Sequence, residues 1–259
     1  MFSLVINVLP IWHTDRVPAI RTARERARCE LTEEIKAKAS QQLADAGAAQ
    51  LSLRAVARSL GMVPSALYRY FPSREDLLTA LIVDAYNSLG DQAEAAAARP
   101  PAVEHRLRWI AACRAVRDWA QQHPNEYSLI YGSVVPGYQA PPDTIAPAAR
   151  VPLLLLTTVR DAWQAGQIVE PATVAELPEP TETNAAILAA ATGLDDVPAD
   201  VLLRAVTAYT QLFGTISLEL FGHLRGAFDD NAVFFAHSID LLAGLIGFTG
   251  ESPTGDDAP

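Results

Sequence analysis

Residues 52–72 read "SLRAVARSLGMVPSALYRYFP", and the way this stretch folds decides the rest. Ser52 suits an N-cap, and Leu53, Val56, Ala57 and Leu60 recur at helical spacing until Gly61 breaks the run. Pro64 suits a first helical position, where its fixed φ and missing N–H cost nothing. Leu67 and Phe71 then form the inner face of a second short helix, which Pro72 closes. Two short helices around a glycine turn predict a helix-turn-helix. In that geometry Leu67 and Phe71 hold the second helix to the core, and Ser65, Ala66, Tyr68 and Arg69 turn outward toward a DNA groove.

The flanks fit this reading. A helix is predicted from about Leu31 to Ala46, with Leu31, Ile35, Ala39, Leu43 and Ala46 on one face and Gly47 ending it. After Pro72, Ser73 with Asp76 caps a long amphipathic run, "EDLLTALIVDAYNSL". Further helices are predicted at residues 102–123, 143–166, 198–224 and 229–247, joined by the proline-rich stretches "GYQAPPDTIAP" and "EPATVAELPEPTET" as loops. Strand signals are nearly absent, so the fold class is all-α.

The charge is divided in the same way. Residues 1–72 hold ten Lys/Arg and six Asp/Glu, for +4, whereas residues 73–259 hold ten and twenty-four, for −14. A basic N-terminal module on an acidic body points to a polyanion partner for the first part alone. Two distant cysteines, Cys29 and Cys113, form no metal-ligand or CxxC pattern, which favours a reduced, cytoplasmic setting. "VPLLLLTTV" at residues 151–159 is too short to cross a bilayer, and no membrane partner is expected.

"LSLRAVARSLGMVPSALYRYFPSREDLLTAL" resembles the DNA-binding module of the TetR (tetracycline-repressor-like) family of bacterial regulators, over about Leu31 to Leu81. Val63 departs from the pattern, since the family usually carries Ser or Thr there to cap the recognition helix. "RAVRDWAQQHPNEYSLIYG" resembles the regulatory domain of one subgroup, over roughly residues 102–247. The resemblance implies a homodimer on palindromic double-stranded operator DNA, most often as a repressor, released by a small-molecule effector. The expected organisation is a leader or basic arm at 1–29, a three-helix module at 30–80 with a linking helix to about 98, a larger helical-bundle ligand-binding and dimerisation domain at 99–248, and a tail at 249–259.

By resemblance, Tyr68 reaches a phosphate, Ser65, Ala66 and Arg69 lie near base edges, and Arg74 stands where the family commonly has a basic residue near the DNA backbone. Arg69 is the residue expected to read a base, because a guanidinium forks onto guanine O6 and N7. Ser52 and Arg54 open the first short helix, where a hydroxyl and a helix N-terminus hold a phosphate, and Pro64 sets the start of the second.

In the body, His105, Trp109, Trp119, Tyr127, Tyr131, Trp163 and Phe213 stand open to two readings, ordinary core or the lining of an effector cavity. Phe213, Gly214, Ser217, Leu218, Phe221 and Gly222 mix small and large apolar residues, as a helix-to-helix dimer contact or internal packing would. The histidines show no HExxH, and neither G-x-S-x-G nor a phosphate-cradling glycine loop occurs, so no enzyme, cofactor or metal is expected. A constitutive regulator without effector, and a small-molecule binder with a degenerate module, are the alternatives.

Overall fold

Thr22 starts the first helix with a capping box: its hydroxyl accepts from the Glu25 N–H at 3.2 Å, and the Glu25 carboxylate accepts from the Thr22 N–H at 2.7 Å. The computed structural model describes residues 22–169 and 178–250 and places this helix, α1, at Ala23–Ala46. Residues 23–29, expected in a leader or arm, are therefore helical. The box supplies a start that apolar periodicity cannot reveal, because residues 22–30 are all exposed. Residues 1–21, the tail at 251–259 and residues 170–177 of the predicted loop lie outside the described residues.

Among the described residues nine α-helices follow: α2 (Leu53–Ser59), α3 (Pro64–Leu67), α4 (Arg74–Ala97), α5 (His105–Gln122), α6 (Pro124–Tyr131), α7 (Ile145–Gln164), α8 (Glu179–Thr192), α9 (Ala199–Leu220) and α10 (Asn231–Ile246). Among the described residues there is no β-strand, only an isolated antiparallel bridge between Ile168 and Phe248. The predicted loop at residues 170–183 is corrected at its end, where Glu179 begins α8. This helix buries Ala185 and Ala189 and stops at Gly193 in the left-handed conformation, φ 69°.

The chain divides into two units. One comprises residues 22–86 with His123–Thr144, and the other Asn87–Gln122 with 145–169 and 178–250. The expected boundary near residue 99 is corrected, since His123–Thr144 belongs with the helix-turn-helix. Val135 joins that unit's core, Leu129, Ile130 and Tyr138 pack against it, Tyr138 Oη lies 2.9 Å from Thr79 Oγ1, and Tyr86 Oη donates to the Ile130 carbonyl at 3.4 Å. The core itself is built from Ile35 and Ala39 of α1, Val56 and Ala57 of α2, Leu67, and Leu77 and Leu78 of α4, each at most 1% exposed.

In the second unit α5 packs on α7, α9 and α10. Arg150 of α7 lies across Gly90 of α4 and donates to Glu94 at 2.9 and 2.7 Å and to Asp91 at 2.6 Å. A Cβ at Gly90 would stand 2.7 Å from Arg150 Nε, so a larger residue there would displace the Arg150 side chain from this position. By length and composition α9 is apolar enough to cross a bilayer, a point the sequence reading passed over. Its inner side, with Val201, Ala208, Leu212 and Ile216, is buried in the unit.

Candidate DNA-binding surface

Gly61, at φ 67°, makes the turn between α2 and α3 in a conformation that favours glycine. Ser52 caps α2 as expected, its Oγ accepting from the Ala55 N–H at 3.4 Å. Pro64 opens α3, and Val63 at the N-cap makes no side-chain capping bond and is 65% exposed. The recognition helix is shorter than predicted: regular α-helix ends at Leu67. Beyond it the chain tightens into i→i−3 bonds, Arg69 N–H to Ala66 O at 3.3 Å and Tyr70 N–H to Leu67 O at 2.8 Å. Pro72 disfavours helical backbone at the residue before it and ends the segment.

Leu67 is fully buried and Phe71 is 7% exposed, so the segment is pinned from below. Ser65, Tyr68 and Arg69 are exposed and Ala66 is half-buried, the outward set expected from the sequence. Arg54 and Arg58 of α2 are also exposed, and the chain between Asp45 and Glu75 carries no carboxylate. Tyr70 is partly packed on the core, with the Arg28 guanidinium 5.7 Å from its ring centroid. The result is a surface of guanidinium, hydroxyl and phenol groups with nothing anionic between them along the chain. Such a surface suits phosphates and guanine edges.

Arg74 departs from expectation. Its Nη2 donates to the Ala48 carbonyl at 2.7 Å and its Nε to the Leu51 carbonyl at 3.2 Å, so two sides of its fork face the protein. On α4's first turn, Ser73 and Asp76 form a reciprocal cap, Ser73 N–H to Asp76 Oδ2 at 2.9 Å and Asp76 N–H to Ser73 Oγ at 3.0 Å.

The aromatic residues of the body fall into two groups. Tyr127, fully buried, has its ring 5.2 Å from that of Tyr131, which meets Tyr86 edge-on at 6.1 Å, all within the helix-turn-helix unit. His105, Trp109, Trp119, Trp163 and Phe213 belong to the second unit. There Trp109 and Trp119 are each 1% exposed. His105 Nδ1 lies 2.8 Å from Gln167 Oε1, and Trp119 Nε1–H donates to Ser88 Oγ at 2.9 Å.

Among the expected dimer residues, Phe213 is corrected: it is buried, with its ring 4.9 Å from that of Tyr209. Gly214, Leu218 and Phe221 are exposed, while Ser217 and Gly222 are half-buried. Sequence reasoning missed the companion residues on α10, where Val233, Leu241 and Leu245 are 66%, 61% and 40% exposed. Their i, i+8, i+12 spacing in "NAVFFAHSIDLLAGLI" places them opposite the buried Phe235, Ile239 and Ala243, a signal present in the sequence.

Comparison with known proteins adds independent findings. The profile described as "Bacterial regulatory proteins, tetR family" matches residues 35–81, and that described as "Tetracyclin repressor-like, C-terminal domain" matches residues 109–242. The HTH-type transcriptional regulators Rv1816 of Mycobacterium tuberculosis and Mb1846 of Mycobacterium bovis are each 39% identical over 237 residues, covering 90% of this chain and 97% of theirs. A solved regulatory protein, SCO4313, superposes with a TM-score of 0.68 at 37% identity, covering 86% of this chain and all of that one.

Proposed function

The chain belongs to the TetR family of bacterial transcriptional regulators, and from that premise we propose that it is a homodimeric repressor of the cytoplasm, without enzymatic activity. It binds a palindromic operator through two helix-turn-helix units and leaves the DNA when a small-molecule effector occupies its second unit. The observation that carries the DNA half is the exposure of Tyr68 and Arg69 immediately after the fully buried Leu67, in a segment free of carboxylates. An exposed Arg fork on a segment anchored by Leu67 and Phe71 is suited to base readout, worth about 1–3 kcal/mol of discrimination per bidentate pair. Two copies related by a two-fold axis read half-sites about 34–36 Å apart or somewhat more. Release follows if the effector favours a conformation with a different separation of the two recognition segments.

The exposed apolar stripe of α9 and α10, with Leu218, Phe221, Val233 and Leu241, supports the dimer. The test is fluorescence anisotropy of the purified chain on duplexes tiled from its own promoter region, against scrambled DNA, across a salt series. Selective binding with a steep salt slope is expected, and Arg69→Ala should weaken it while relaxing sequence preference. If neither the tiled duplexes nor a random-sequence pool yields a selective binder, the operator reading is lost.

A further inference from the structure

We infer that Arg74 is a positioning residue for DNA recognition, one that fixes the turn before α2 and neutralises no phosphate. The inference rests on the reading above, in which Ser52, Arg54 and Arg69 meet DNA. The turn leaves α1 through Gly47, at φ 79°, and passes through a single 3-10 turn, Ala48–Gln50, before Leu51 and Ser52 deliver the chain to α2. One turn of 3-10 geometry has little stability of its own. Two side chains hold it from opposite ends of the sequence.

Arg74, from the start of α4, reaches back across 26 and 23 residues to the carbonyls of Ala48 and Leu51, at 2.7 and 3.2 Å. Gln42, from α1, uses both halves of its amide: Nε2–H donates to the Gln50 carbonyl at 3.4 Å, and Oε1 accepts from the Ser52 N–H at 3.1 Å. Leu51, anchored between them, is 3% exposed. The residue fixed at the end of this arrangement is Ser52, the cap of α2, with the exposed Arg54 two residues on.

A cation that binds a phosphate needs its donors aimed outward. Arg74 aims Nε and Nη2 at the backbone, and its Nη1 lies 3.5 Å from the Glu75 carboxylate. Reaching two carbonyls at once requires the spread of a guanidinium, which an ammonium, a single point of donation, does not offer. Charge alone is therefore insufficient at this position, and the shape of the group decides.

The test compares wild type, Arg74→Lys and Arg74→Ala on two readouts. The first is affinity for a duplex enriched by wild type from a random-sequence pool, over a salt series. The second is amide hydrogen exchange across residues 47–53 in the full-length chain without DNA. Both variants should bind the duplex about tenfold or more weakly, keep the wild-type salt slope, and exchange faster at 47–53 while α9 and α10 exchange as before. Ser52→Ala should cost less in the Arg74→Lys background than alone, because the variant has already displaced the cap.

Near-wild-type binding by Arg74→Lys, with a salt slope lowered by about one per protomer in Arg74→Ala, would make Arg74 a phosphate contact and overturn the inference. Failure of wild type to enrich any duplex would remove the DNA reading by itself. The exchange comparison would still decide whether Arg74 holds the turn, and unchanged exchange in both variants would sink that claim.

Discussion

Arg117 of α5 and Glu219 of α9 form a two-point pair, Nε to Oε2 at 2.7 Å and Nη2 to Oε1 at 2.6 Å, with side chains only 12% and 10% exposed. Gln121 donates to the same carboxylate at 3.1 Å, and the Phe235 ring centroid lies 5.0 Å from the guanidinium. Removing one member leaves the other a buried charge without its counterion. Glu219→Ala should therefore destabilise the second unit by about 3 kcal/mol in urea unfolding. The double replacement Arg117→Leu with Glu219→Leu should cost less than the single one, because no stranded charge remains. A double variant less stable than Glu219→Ala would contradict this reading.

Alkaline pH should destabilise the protein. Burial pushes the Cys113 thiol well above its ordinary value, and burial, then Tyr138, raises the Tyr86 phenol. Burial opposes the charged form of Lys36, but hydrogen bonds and attraction from Asp84 and Glu33 outweigh it, so Lys36 is also raised. A group raised on folding contributes stability that is complete below its unfolded-state pKa and is lost as pH climbs through its folded one. With unfolded values of about 8.5, 10 and 10.4 for Cys, Tyr and Lys, Tm should hold level to about pH 8 and fall above it. Cys113→Ala should move the onset of that fall upward, toward about pH 10. A Tm that stays level to pH 10.5 would be inconsistent with all three shifts.

Val63 occupies an N-cap without capping. Val63→Ser supplies the missing acceptor at a residue that buries little, and should stabilise the helix-turn-helix unit by about 0.5–1 kcal/mol in urea unfolding without DNA. A loss of stability would mean that the exposed valine makes a contact of greater value than the cap.

Leu218→Glu combined with Leu241→Glu places carboxylates on the outward side of α9 and α10, at positions 47% and 61% exposed. Sedimentation equilibrium should show a shift from dimer to monomer, with helical content by circular dichroism unchanged. Operator affinity should fall with it, since each half-site is then bound alone. Persistence of a wild-type dimer would move the interface elsewhere.

Much of the helix-turn-helix was legible because its instructions are local. Gly61 needs its positive φ, Pro64 fits a first turn, and Leu67 and Phe71 share a face, so neighbours in sequence settle the matter. The start of α1 was written in Thr22 and Glu25 as a capping box, yet the search for apolar periodicity overlooked it in a stretch that buries nothing. α8 escaped because a Pro- and Glu-rich opening reads as loop, although two alanines four apart and a terminal glycine mark its inner face and end. The direction of Arg74 had no local signal, since its partners lie 23 and 26 residues away and a long side chain on a first turn can point several ways. The membership of His123–Thr144 was likewise set by packing, through Val135 and Tyr138, at a His-Pro break that looks like mere continuation.

If the outward stripe on α9 and α10 is the dimer contact proposed above, the amount of protein becomes a variable of regulation. A surface covered only by a second copy makes assembly depend on the square of chain concentration. Occupancy of a two-half-site operator would then rise more steeply than in proportion to expression. A modest change in gene dosage or turnover would set a threshold for silencing, independently of any effector.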